Sequence, residues 1–131
     1  MSTPSPLRER LVFDTDRGQV LDQDRRYVLM RADVLMGLFS ELPEHSRSDA
    51  LAALSRSVLR HGGNSVRAYA LGTGGAPEAL FNSVGMGAAA LGWGVWTFEH
   101  GPNECMLRVR NSPFALASGP SPHPMCAPIL G

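Results

Sequence analysis

The stretch PEALFNSVGMGAAALGWGVWTFEHGPNECMLRVRN, residues 77–111, decides the fold because its apolar period changes halfway along. In the first half Leu80, Phe81, Val84, Ala88 and Leu91 recur every three or four residues, the spacing that gathers them on one face of a helix. Pro77 suits the first helical position, where no intrahelical amide bond is lost. In the second half the period falls to two. Trp96 and Phe98 alternate with Val95 and Thr97, and Leu107 and Val109 alternate with Arg108 and Arg110. His100-Gly101-Pro102-Asn103 turns the chain between the two runs. A helix feeding an antiparallel hairpin predicts an α+β fold. Gly85, Gly87 and the Ala88-Ala89-Ala90 run make that helix thin, and the space it leaves must be taken by a neighbour, a cavity or a ligand.

Outward from this stretch, Leu71-Gly72-Thr73-Gly74-Gly75 predicts a break, and two further helices precede it. One starts at Ala32, with Val34, Leu35, Leu38, Phe39 and Leu42 on one face, and Pro43 ends it. The next starts near Ser46, an N-cap residue with Asp49 three positions on, and carries Leu51, Leu54, Val58, Gly62, Val66 and Tyr69. Gly62 and Gly63 each weaken a helix by up to about 1 kcal/mol relative to Ala, so the pattern predicts close approach of a backbone or a ligand there. Before the helices, Leu11-Val12-Phe13, Val20-Leu21 and Tyr27-Val28-Leu29-Met30 are separated by Asp-rich turns, the rhythm of a small antiparallel meander. Residues 1–9 are expected to be a flexible tail, leaving 10–131 as one domain. On the C-terminal side, Asn111-Ser112-Pro113-Phe114 opens a short helical or irregular segment. A proline-rich loop then leads to Met125-Cys126-Ala127-Pro128-Ile129-Leu130-Gly131, an apolar segment expected to be the cut-short end of the domain.

The bulk numbers narrow the partners. Twelve basic and twelve acidic residues give a formal net charge of zero, which removes the electrostatic case for nucleic acid or an anionic membrane as the main partner. No apolar run is long enough to span a bilayer, and MSTPSPLRER lacks a signal-peptide core, so the expected compartment is the cytoplasm. Cys105 and Cys126 are too few for a disulfide framework and read as free thiols.

Chemistry-bearing patterns are sparse. A zinc site wants four ligands, usually in tight pairs, and only His123-x-x-Cys126 has such spacing, with Cys105, His100, Glu99 and Glu104 upstream. The plainer reading of Cys126 is a small packed hydrophobe, so no metal is favoured; Cys126, His123 and Cys105 are the weak candidates. Neither cysteine has an orienting triad around it, and no catalytic residue is assigned. Gly72-Thr73-Gly74-Gly75 lacks the lysine of a phosphate loop; the chain has no lysine at all, which also removes Schiff-base chemistry. Asp14, Asp16, Asp22 and Asp24 sit where Asp favours turn geometry, without the spacing of a calcium loop.

A family resemblance rests on His61-Gly62-Gly63 and Tyr69, on Leu91-Gly92-Trp93-Gly94, on Val109-Arg110-Asn111-Ser112-Pro113-Phe114-Ala115, and on Pro124-Met125-Cys126 with Gly131. In this order, over roughly residues 10–131, the chain resembles the 4-vinyl reductase domain. That domain occurs alone, as the effector-binding part of aromatic-responsive transcriptional activators, and in an architecture shared with transport protein particle subunits. The resemblance implies a hydrophobic pocket between helices and a mixed sheet, a small aromatic or hydrocarbon ligand, dimerisation and, in some members, zinc. The zinc pattern departs here: Ala115 stands at the carboxylate position and Ser118 at the first cysteine, leaving only Cys126, and the usual C-terminal helix and strand pair do not follow.

His61, Tyr69, Phe81, Trp93, Trp96, Phe98 and Phe114 are therefore the pocket candidates, with His61 and Tyr69 as its polar groups. Ordinary core packing is the commoner fate of such aromatics. The leading expectation is a ligand-binding or sensor domain acting through a dimer or partner interface. The alternatives are a non-catalytic scaffold or dimerisation subunit, and an accessory protein of a reductase pathway.

Overall fold

The chain's first regular element comes where a loose tail is expected. The computed structural model describes residues 6–72, 74, 76–119, 121 and 125–130, without the side chains of residues 65, 68–70, 72 and 130. Within it Leu7–Arg10 forms a single helical turn, α1, that packs on a later helix and buries Leu7. Of the tail expected through residue 9, residues 7–9 thus fall in a helical turn held by the burial of Leu7. Three strands follow in the order β1-β2-β3: β1 (Val12–Asp14), β2 (Gln19–Asp22) and β3 (Arg25–Tyr27), all antiparallel, with Phe13 opposite Val20 and Leu21 opposite Arg26. The first turn is fixed by Asp14, whose carboxylate accepts from the Arg17 backbone N–H at 3.0 Å, and by Gly18 at φ 62°. The third strand stops at Tyr27, so Val28, Leu29 and Met30, expected to extend it, are exposed.

At the end of β2 Asp22 is fully buried. Arg10 donates to both of its oxygens at 3.0 Å and Arg25 to one at 3.1 Å, so two guanidinium groups neutralise the one buried carboxylate. This triad ties α1 to the sheet.

Three helices come next: α2 (Ala32–Glu41), α3 (Glu44–Gly72) and α4 (Pro77–Ala90). Pro43 separates the first two as expected, but α3 begins at Glu44, ahead of the expected Ser46 cap. Arg47 stitches the joint, its guanidinium donating to the carbonyls of Phe39 at 2.7 Å and Leu42 at 3.2 Å, groups that the end of α2 leaves without intrahelical partners. After α4 come the hairpin strands β4 (Val95–His100) and β5 (Cys105–Arg110), in register with Trp96 opposite Val109, Phe98 opposite Leu107 and His100 opposite Cys105. Gly94, at φ 97°, starts the hairpin where only glycine fits: a Cβ there would lie 2.5 Å from the Arg110 carbonyl oxygen. Ser112 then caps α5 (Pro113–Ser118) by accepting from Ala115 N–H, and α6 (Ala127–Leu130) is the last element.

The main core is helical. Met36 and Phe39 of α2, Leu51 of α3, Phe114 of α5, and Met125 and Ala127 at α6 pack together, with Leu35, Leu42, Leu54, Trp93 and Ile129 around them. The C-terminal apolar segment is thus part of the core. The fold is α+β, with the meander, three longer helices and hairpin expected, and with α5 and α6 closing the helical layer.

Candidate functional site

One helix stripe and one strand face meet to make the candidate site. On α4, Glu78, Phe81, Asn82 and Gly85 follow one another at helical spacing, and on β4 the period of two brings Trp96, Phe98 and His100 to the same side. Gly85 lets the strand come close, since a Cβ built on it would touch the Trp96 carbonyl oxygen at 3.5 Å. Beside Gly85 the space is taken by the β4 backbone, whereas a Cβ on Gly87 would meet nothing within 4 Å. Trp93 N–H also donates to the Ala88 carbonyl at 2.8 Å, closing the turn between α4 and β4.

Beside this contact lies a half-open groove of about 360 Å³, lined by Glu78, Phe81, Asn82, Trp96, Thr97, Phe98 and His100. Phe81 and Phe98 stack with centroids 4.6 Å apart at 25°, and His100 tilts against Phe81 at 5.0 Å. Trp96 stands 6.4 Å from Phe98, with its indole N–H donated to the Trp93 carbonyl at 3.1 Å. That bond ties the indole to the turn between α4 and β4. Glu78, Asn82 and His100 supply polar groups around the rings.

The expected pocket residues do not all gather here. Phe81, Trp96 and Phe98 do. Trp93 and Phe114 instead meet edge to face at 5.2 Å on the core, where Phe114 is buried. His61 is exposed on α3, and the Tyr69 side chain lies outside the described residues. Glu78, Asn82, Thr97 and His100 are additions. Their signal was available: Glu78 and Asn82 flank Phe81 on the helix, and His100 continues the Trp96–Phe98 alternation.

Among the described residues no three His, Cys, Asp or Glu side chains converge as a metal site. Cys126 is half-buried with its Sγ 3.8 Å from Ser112 Oγ, Cys105 is exposed, and His123 lies outside the described residues. No helix among them is long and apolar enough to cross a membrane. Compared with protein-family models, curated proteins and solved structures, the chain matches none.

Proposed function

We propose that the chain reversibly binds a small planar aromatic or hydrocarbon-like molecule in the groove between α4 and β4. The observation that carries this reading is the ring cluster of Phe81, Phe98 and Trp96 lining an open recess with polar groups beside it. Phe81, Trp96 and Phe98 are each only half-buried, and the recess beside them leaves aromatic surface within reach of a planar guest. The size selects among ligands. About 360 Å³ lies at the low end of ligand cavities, which suits one or two fused rings better than a tetrapyrrole. The reading agrees with what the resemblance to 4-vinyl reductase domains implies, and it places no chemistry on the ligand.

Calorimetric titration with phenols, naphthols, fatty acids and a tetrapyrrole tests it, together with tryptophan fluorescence reporting on Trp96. Saturable binding of the phenols or naphthols is expected, weakened about tenfold in Phe98→Ala, the size of one lost ring stack plus its buried area. Absence of saturable binding across the set, or an undiminished affinity in Phe98→Ala, would sink the groove as the site.

A further inference from the structure

Counting histidine as neutral at pH 7, one formal charge lies among the side chains that line the groove, the Glu78 carboxylate. The backbone sets where it stands. β4 runs back along α4, with Gly85 against the Trp96 carbonyl at one end and Phe81 against Phe98 and His100 further along. Gly85 to Glu78 is about 10 Å along a helix, and Trp96 to His100 is about 13 Å along a strand. Glu78 therefore stands about level with His100, at the end of the groove away from the α4–β4 turn. Helical side chains lean towards the N-terminus, so Phe81 and Asn82 reach back over the turn that carries Glu78.

Among the described residues Glu78 forms no ion pair. On the hairpin, Arg108 comes near in register because its cross-strand partner Thr97 also lines the groove, but Glu99 holds its guanidinium at 2.8 Å. Arg110 stands opposite Val95, outside the lining. Glu78 is the second residue of α4, and the positive end of a helix offsets about half a charge. This end of the groove stays net negative.

We infer that the ligand is a small aromatic cation, its ring against Phe81, Trp96 and Phe98 and a protonated amine directed at Glu78. This rests on the groove being a ligand site and adds the sign of the ligand's charge. Aromatic faces carry negative potential, so the rings and the carboxylate attract the same partner. An ammonium group has three N–H donors, and Glu78 and the Asn82 side-chain carbonyl are acceptors on one helical turn. A ligand bearing a carboxylate, such as a fatty acid, meets repulsion from Glu78 instead. A neutral hydrocarbon gains nothing from it.

Titration calorimetry of the full chain at pH 7 and low salt tests this with three compounds that share one ring system: 2-naphthylmethylammonium, 2-naphthylmethanol and 2-naphthoate. The ammonium is expected to bind about five- to tenfold tighter than the alcohol, and the carboxylate about threefold weaker. In Glu78→Gln the ammonium's advantage over the alcohol falls to about twofold, the share left to the rings, with the circular dichroism unchanged. Glu41→Gln, which removes a negative charge on α2, keeps the full advantage. Raising the salt to about 0.5 M shrinks the advantage in the native chain, since a charge at an open groove is screened. Equal binding of alcohol and ammonium, or a preference for the carboxylate, overturns the inference and leaves the groove standing as an aromatic site. An advantage that survives Glu78→Gln, falls equally in Glu41→Gln or ignores salt also overturns it. Binding of none of the three removes the groove reading itself, and this inference with it.

Discussion

Asp22 shows how one residue can hold two elements together and how that hold is tied to pH. The Arg10 hydrogen bonds, opposed next by burial and then aided by the Arg10 charge and by the hydrogen bond and charge of Arg25, keep its carboxyl below the usual value of 3.8. A carboxyl whose pKa is lower in the folded chain than in the unfolded one stabilises the fold wherever it is ionised in both, above about pH 5. That contribution fades as pH falls through 3.8 towards the folded value. Asp22→Asn removes the carboxylate charge that both Arg10 and Arg25 pair with at a fully buried position, so a loss of about 2–3 kcal/mol is expected near neutrality. Urea midpoints of both proteins at pH 7 and pH 3 give the check: the gap is wide at pH 7 and narrows at pH 3. A pH-independent gap would show that shape alone, with no charge pairing, holds Asp22. In the sequence Asp22 reads only as one of four turn aspartates, because its partners come from twelve positions before it and three after it, a pairing no local pattern reveals.

At the scale of elements, legibility followed how one-sided each element is. The hairpin alternates cleanly because one face lies on α4, and β4 and β5 fall where the period of two puts them. Helix α2 is apolar nearly all round, so the periodicity found the helix and most of its inward side: Leu35, Phe39 and Leu42 pack on the core, but Val34 and Leu38 are exposed and Met36, outside the stripe, is buried. On α3 the two mid-helix glycines were expected to mark a close approach. A Cβ on Gly62 would meet only Val58 of the same helix, at 3.8 Å, and one on Gly63 would meet nothing within 4 Å. The helix accepts the weakness without recovering it in packing. Gly63→Ala is therefore expected to raise stability by up to about 1 kcal/mol, since alanine loses less backbone freedom on folding and here finds room. Thermal or urea unfolding measures it directly. A destabilised Gly63→Ala would mean that something approaches this point of α3 closely, as the sequence pattern first suggested. For the groove the same rule held in part: Phe81, Trp96 and Phe98 were legible from aromatic spacing, but their separation from Trp93 and Phe114 depends on which side of the α4–β4 turn each ring falls, a tertiary fact.

For the whole molecule the question is how so small a core keeps the chain folded. Its largest cluster draws on single turns, α5 and α6, as much as on the long helices, and large apolar side chains remain exposed on the meander, α2, α3 and the hairpin. Neither a two-stranded hairpin nor a single helical turn is stable by itself in water. Stability then has to come from cooperation among weak parts, so the loss of one central side chain is felt by the whole. Phe114 is such a side chain: it is buried on α5, meets Trp93 edge to face and belongs to the cluster shared with α2, α3 and α6. Phe114→Ala is expected to cost about 3–5 kcal/mol, a large part of the stability of a domain this size, seen as a lower urea or thermal midpoint. A loss under about 1 kcal/mol would mean that α5 contributes little and that α2 and α3 hold the core without it.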